Sequence, residues 1–76
     1  MEKLMLEQIR NLRGKAYNVA VQKLDEIEKN EKLHIPSDLD EDTIRELKYL
    51  VSQFYYGLSA QDDLLELCIR LEWIKL

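Results

Sequence analysis

The chain has 76 residues, a formal net charge of −4 and a hydrophobic content of 46%. This length predicts one domain, residues 1–76, and the hydrophobic content excludes a globally disordered chain. Because the sequence has one cysteine and one histidine, an internal disulfide and a zinc site built from those residues are also excluded.

Hydropathy and charge limit the compartment and the partners. No apolar run approaches the roughly 20 residues that cross a bilayer, and the first residues lack the apolar core of a signal peptide. We therefore expect a soluble, cytoplasmic protein with no membrane insertion. Residues 1–23 carry five basic and two acidic side chains, whereas residues 24–76 carry six basic and thirteen acidic ones. No nucleic acid partner is expected, since binding one needs a concentrated basic face.

The first helix is predicted over residues 2–30. Its apolar side chains recur at spacings of three and four, the period of one helix face: Met5, Ile9, Leu12, Ala16, Ala20, Leu24 and Ile27. Gly14 lies on the opposite side, either as a tolerated solvent-facing glycine or as a break in the helix. Arg13 and Lys23 flank the apolar face, where their stems can cover it or their charges can meet acidic groups of another helix.

Residues 31–40 are predicted to form a loop, because Pro36 disfavours helix at the residue before it. A second helix over about 41–56 follows. The residues before it include three good capping side chains, Ser37, Asp38 and Asp40. Asp38 with Glu41 three residues later resembles a capping box.

The second helix has one apolar face and an aromatic pair outside it. The face comprises Ile44, Leu47, Leu50, Val51, Phe54 and Tyr55. Tyr49 and Tyr56 are seven residues apart and lie nearly opposite that face. Gly57 is expected to end the helix in the left-handed conformation.

The third helix is predicted from Ser59, which would cap it, to about residue 75. It has two apolar stripes: Leu64, Leu67, Cys68, Leu71 and Ile74, then Leu65, Ile69, Trp73 and Leu76. A surface helix normally buries one stripe. Either this helix lies centrally, with the first helix over one stripe and the second helix over the other, or its second stripe meets another molecule.

These patterns predict an all-α three-helix bundle, made of a long N-terminal helix plus a helical hairpin, that is dimeric or partner-bound. Tyrosine and tryptophan are enriched at interface hot spots, since they combine large area with a polar group. We therefore expect a non-enzymatic protein–protein interaction module, a regulator, inhibitor or adaptor of bacterial or phage type. It would bind a partner protein, or a second copy in a homodimer, through helices two and three. The candidate partner-binding residues are Tyr49, Tyr56, Leu65, Ile69, Trp73 and Leu76.

No catalytic, cofactor or metal site is predicted. A calcium loop starting at Asp38 would need Gly and Glu at its sixth and twelfth positions, which hold Thr43 and Tyr49. His34 has no nucleophile placed to pair with it, and Cys68 lies in an apolar stripe as a small hydrophobe. We therefore expect no enzyme activity, no cofactor and no small-molecule substrate.

Two alternative functions remain open. A helix-turn-helix-like DNA-binding regulator would use the turn at 57–59, although Asp62 and Asp63 near the start of the third helix would repel phosphates. Size and helicity also allow a bacteriocin-immunity-like helical bundle.

Residues 22–25, Gln-Lys-Leu-Asp, resemble part of the Ser-Gln-x-Leu-Asp motif of small helical-hairpin phosphatases that act on response regulators. The resemblance implies a dephosphorylation reaction that would need Asp25. Val21 stands at the position of the motif's serine, and the segment lies inside the first helix, so we do not assign that activity.

Overall fold

The computed structural model describes residues 2–75, with side chains from residue 5 onward. Three helices are packed together: α1, Glu2–Lys32; α2, Glu41–Gln53; and α3, Leu58–Arg70. A 3₁₀ turn, Phe54–Tyr56, follows α2. The predicted all-α fold, with a long N-terminal helix and a helical hairpin, is confirmed.

The first helix sets the length of the molecule. Its 31 residues rise about 46 Å, close to the long dimension of 48 Å, whereas α2 and α3 have 13 residues each. Gly14 is exposed, and a Cβ there would have no atom within 4 Å. Gly14 therefore faces solvent, and α1 continues through it without a break.

Contacts between helices define their directions. Arg13 contacts Asp62 near the start of α3, and Lys23 lies over Trp73 just after its end, so α1 and α3 run the same way. Glu46 of α2 lies beside Arg70 at the end of α3, and Phe54, just after α2, accepts a hydrogen bond from Gln61 near the start of α3, so α2 runs in the opposite direction. The result is an up-down-up arrangement.

The start of α2 is fixed by an aspartate cap. The Asp40 carboxylate accepts a hydrogen bond from the Thr43 backbone N–H at 2.9 Å. This satisfies one of the N–H groups that a helix start leaves without a partner. Of the three candidate caps, Asp40 is therefore the one used. Asp38 does not cap the helix, so the predicted capping box beginning there is wrong.

The junction between α2 and α3 differs from the prediction. Gly57 has φ 179° and ψ 156°, an extended conformation, so its predicted left-handed role is wrong. The 3₁₀ turn tightens the end of α2 and removes the need for a left-handed residue. Gly57 itself is the N-cap position of α3, and Ser59, the predicted cap, lies inside the first turn. The Gln61 side-chain amide spans the junction by donating to the Phe54 carbonyl at 2.9 Å.

The end of α3 comes earlier than the predicted residue 75, because the chain leaves the helix at Glu72. This residue has φ 63°. Its N–H donates to the Ile69 carbonyl at 3.0 Å, and the next N–H, of Trp73, donates to the Cys68 carbonyl at 2.9 Å. These two bonds form a Schellman motif, and the same pattern ends α1 with His34 at φ 57°. Left-handed residues other than glycine are uncommon. Because Glu72 and His34 occupy these positions, the sequence has no glycine there to indicate where α3 and α1 end.

The core draws on all three helices and on the segment after α3. Its buried side chains are Ala16, Ala20, Leu47, Leu50, Phe54, Leu64, Leu65, Leu67, Cys68 and Ile74. Met5, on the predicted apolar face of α1, is exposed because the helix extends beyond its neighbours. Tyr55 is also exposed, so its predicted place on the core face of α2 is wrong. Within residues 2–75, no helix has the length and apolarity to cross a membrane.

Candidate interaction surface

The third helix lies between the other two, and its own chain covers most of its apolar surface. Leu65, a candidate partner-binding residue, is only 9% exposed. Asp62, nearly one turn earlier on the same side of α3, accepts a hydrogen bond of 2.7 Å from Arg13 of α1. The second stripe therefore faces α1. Leu64 and Cys68 of the other stripe are fully buried, and the Cys68 thiol also contacts α1, at the Ala16 carbonyl. This is the central arrangement, in which neighbouring helices cover both stripes.

The segment after α3 folds back onto the bundle. Ile74 is 2% exposed, and Trp73 packs partly buried against the core, as does Ile69 one turn before it. The Lys23 ammonium lies 5.5 Å from the centroid of the Trp73 ring, within the range of a cation–π interaction. Trp73 is thus partly covered by its own chain. The remaining candidate of this stripe, Leu76, lies outside the described residues.

Two candidate residues remain largely in solvent, Tyr49 on α2 and Tyr56 in the 3₁₀ turn that follows it. Tyr49 is 63% exposed and Tyr56 is 83% exposed. Both border a shallow groove between α2 and α3, with Leu50 and Ala60 beneath them. We call this feature the tyrosine groove. It comprises Tyr49, Leu50, Tyr56 and Ala60, with the charged side chains of its rim, Glu46, Asp63, Glu66 and Arg70.

The rim of the tyrosine groove has more acidic than basic side chains. Arg70 of α3 lies 3.7 Å from Glu46 of α2, so one ion pair bridges the groove. Asp63 and Glu66 have no cationic side chain within 4 Å in the described part of the chain. The groove therefore combines two exposed aromatic rings with an excess of negative charge.

An aromatic cluster holds the 3₁₀ turn against α1. The ring centroids of Tyr17 and Phe54 are 4.6 Å apart, and those of Tyr17 and Tyr55 are 5.3 Å apart. The pKa of Tyr17 is raised, first by its hydrogen bond to Tyr55 and then by burial. Because Tyr56 is the last residue of this anchored turn, the cluster fixes its backbone at the edge of the groove.

The other titratable groups with shifted pKa values have structural roles. The pKa of Asp40 is lowered, first by the hydrogen bond that its side chain makes with Thr43 in the helix cap. Burial raises the pKa of the Cys68 thiol to about 11, and the thiol donates to the Ala16 carbonyl with 3.7 Å between sulfur and oxygen. Across residues 2–75, no group of three or more His, Cys, Asp or Glu side chains is placed to hold a metal ion.

The sequence predicted that Tyr49 and Tyr56 would be exposed, but it did not predict the acidic rim beside them. Asp63 and Glu66 are three residues apart, a spacing that places them on one side of a helix. The sequence therefore contained a signal for an acidic face on α3. It did not indicate which face of α2 would lie beside them, because that depends on how the two helices pack.

The fold and this surface together define a small all-α domain of three packed helices with an open groove on its helical hairpin. A comparison with protein-family models, curated proteins and solved structures found no match for the chain. Function therefore has to be inferred from the surface itself.

Proposed function

We propose that this protein is a non-enzymatic interaction module that binds another protein through the tyrosine groove of α2 and α3. In that role it would act as a small regulator, inhibitor or adaptor. The observation that carries the proposal is the exposure of Tyr49 and Tyr56 on the same groove. Single exposed apolar residues are ordinary on protein surfaces. Two tyrosines beside one concave feature form the kind of surface that partners use as an anchor.

The proposed surface is narrower than the one expected from the sequence alone. Leu65 lies in the core, and Ile69 and Trp73 pack against it. Their substitution would destabilise the fold as well as change any contact, so they are poor probes of binding. Tyr49 and Tyr56 can be truncated with little effect on packing, because most of each side chain is in solvent.

The expected contribution of each tyrosine is large enough to measure. Truncating an interface hot spot costs about 2 kcal/mol, which weakens binding roughly 30-fold. We therefore expect Tyr49→Ala or Tyr56→Ala to release a bound partner while leaving the unfolding curve of the protein close to that of the wild type.

The test is quantitative co-purification of a partner with the tagged wild type and with each tyrosine variant. Met5→Ala is a matched control, because Met5 is also exposed and apolar but lies near the N-terminal end of α1. Support requires that both tyrosine variants lose a partner that the control retains. If every associated protein remains bound to Tyr49→Ala and Tyr56→Ala, the groove is not the binding surface.

A further inference from the structure

Resting on that proposed function, we propose that the tyrosine groove binds a cationic amphipathic helix of another protein. Its apolar side chains would lie between Tyr49 and Tyr56. Its Lys or Arg side chains would face Asp63 and Glu66 on the rim. A second copy of this chain is the occupant that the charges disfavour.

The charge of the rim is the first argument. Of two adjacent acids at the start of α3, Asp62 is neutralised by Arg13 at 2.7 Å, whereas Asp63 faces the groove without an ion pair in the described part of the chain. Glu66 adds a second carboxylate that has no ion pair among the described residues, and Arg70 lies beside Glu46. Complementary charge across an interface favours one class of partner and suppresses others. A positively charged partner fits this rim.

The length of the groove is the second argument. On the α2 side the groove is lined from Glu46 to Tyr56, which corresponds to about 15 Å along the chain. That length accommodates about three turns of a helix whose apolar residues recur on one face, a common mode of peptide recognition. The tyrosine rings would provide the apolar contacts, and the acidic rim would select the charge of the flanking residues.

The same charges argue against a symmetric dimer through this groove. In a two-fold dimer with the groove on its axis, each groove meets its own copy, so Asp63 and Glu66 of one molecule would approach those of the other. A contact between the basic N-terminal part of α1 and the groove of another copy would avoid this repulsion, and it would appear as self-association in the tests below.

The experiment uses two synthetic peptides with the same apolar pattern and a single tryptophan. One places lysines and the other glutamates at the remaining positions. Each is titrated into the 76-residue protein, and binding is followed by backbone amide chemical shifts. We expect the lysine peptide to bind with a dissociation constant below millimolar and to shift amides around the tyrosine groove. The glutamate peptide should bind at least tenfold more weakly, and added salt should reduce the difference.

Charge-reversal variants test the rim directly. Glu66→Lys should weaken binding of the lysine peptide about fivefold, because one attraction becomes a repulsion. Asp25→Lys makes the same change in net charge on the exposed side of α1 and should have a much smaller effect. Equal effects of the two substitutions would mean that only net charge matters, and would overturn the proposal.

The remaining outcomes separate this inference from the proposed function. Equal binding of both peptides, or no binding of the lysine peptide at millimolar concentration, would overturn the cationic partner. The proposed function would still stand if Tyr49→Ala released a partner of different chemistry. Self-association of the protein that Tyr49→Ala abolishes would assign the groove to a second copy and overturn the inference.

Discussion

The left-handed Glu72 gives a sharp test of where α3 ends. Substitution by glycine should stabilise the protein if residue 72 is left-handed and destabilise it if residue 72 is helical. In the Schellman motif, Glu72 has φ 63°. A left-handed residue with a Cβ costs about 1–2 kcal/mol, and glycine removes that cost. Glycine also makes the unfolded chain more flexible, which opposes the gain by about 0.5–1 kcal/mol.

The net effect of Glu72→Gly is therefore a stabilisation of about 0.5–1 kcal/mol from the backbone. Removing the carboxylate from the negative end of the α3 dipole adds a few tenths of a kcal/mol. Glu72→Gln is the matched control, since it removes the charge but keeps the side chain. The difference between the two variants isolates the backbone contribution.

The assay is urea unfolding followed by circular dichroism, with the free energy of unfolding compared among the three proteins. A gain of about 1 kcal/mol would also raise the melting temperature by roughly 4–8 °C in a domain of this size. If α3 instead continued through residue 72, glycine would lie in a helix interior and would destabilise the protein by about 1 kcal/mol. A loss of stability in Glu72→Gly would therefore refute the observed end of the helix.

Three further predictions follow from the junction, the C-terminal segment and the core. Gly57→Ala should change the free energy of unfolding by less than about 1 kcal/mol, because the less flexible unfolded chain offsets the weaker preference for alanine at an N-cap and a Cβ there has no atom within 4 Å; a loss of about 2 kcal/mol or more in urea unfolding would contradict its extended conformation. Ile74→Ala should cost about 2–4 kcal/mol, whereas Ile35→Ala should cost well under 1 kcal/mol, since their exposed fractions are 2% and 49%. Burial raises the pKa of Cys68 from 9.0 to about 11, so its stabilising contribution is complete below pH 9 and is lost as the pH rises toward 11, because the unfolded thiol ionises first. The measurement is the free energy of unfolding of the wild type and of Cys68→Ala at the lower and upper ends of that pH range. The difference between the two proteins should decrease as the pH rises, and a difference independent of pH would contradict the prediction.

Helix positions could be predicted from the sequence because they depend on local periodicity. The apolar spacing in α1 and α2 indicated both elements, and the candidate caps included Asp40, which the structure uses. The ends were harder to predict. Gly57 is the usual residue type for a left-handed helix end, yet His34 and Glu72 have that conformation. These ends are set by hydrogen bonds and by packing of the following residues, such as Ile74, which a glycine rule does not include.

The sequence left two alternatives for the second stripe of α3, burial by the chain's own helices or contact with another molecule. It could not decide between them, because burial depends on tertiary packing. Ala16 and Ala20 are fully buried, and their small side chains leave room for α3 to approach α1. The sequence pattern identified both alanines as part of the α1 face but did not indicate which helix would cover them. The acidic rim beside Tyr49 could not be predicted for the same reason, because it depends on how α2 and α3 pack against each other.

The most direct test of the account is the mass of the isolated protein in solution, measured by light scattering up to millimolar concentration. If the apolar residues of α3 are enclosed by their own chain and the tyrosine groove repels its own copy, the particle should keep the mass of one chain, 9.1 kDa. A stable particle of twice that mass at micromolar concentration would contradict this, because one of the two surfaces would then be used for self-association.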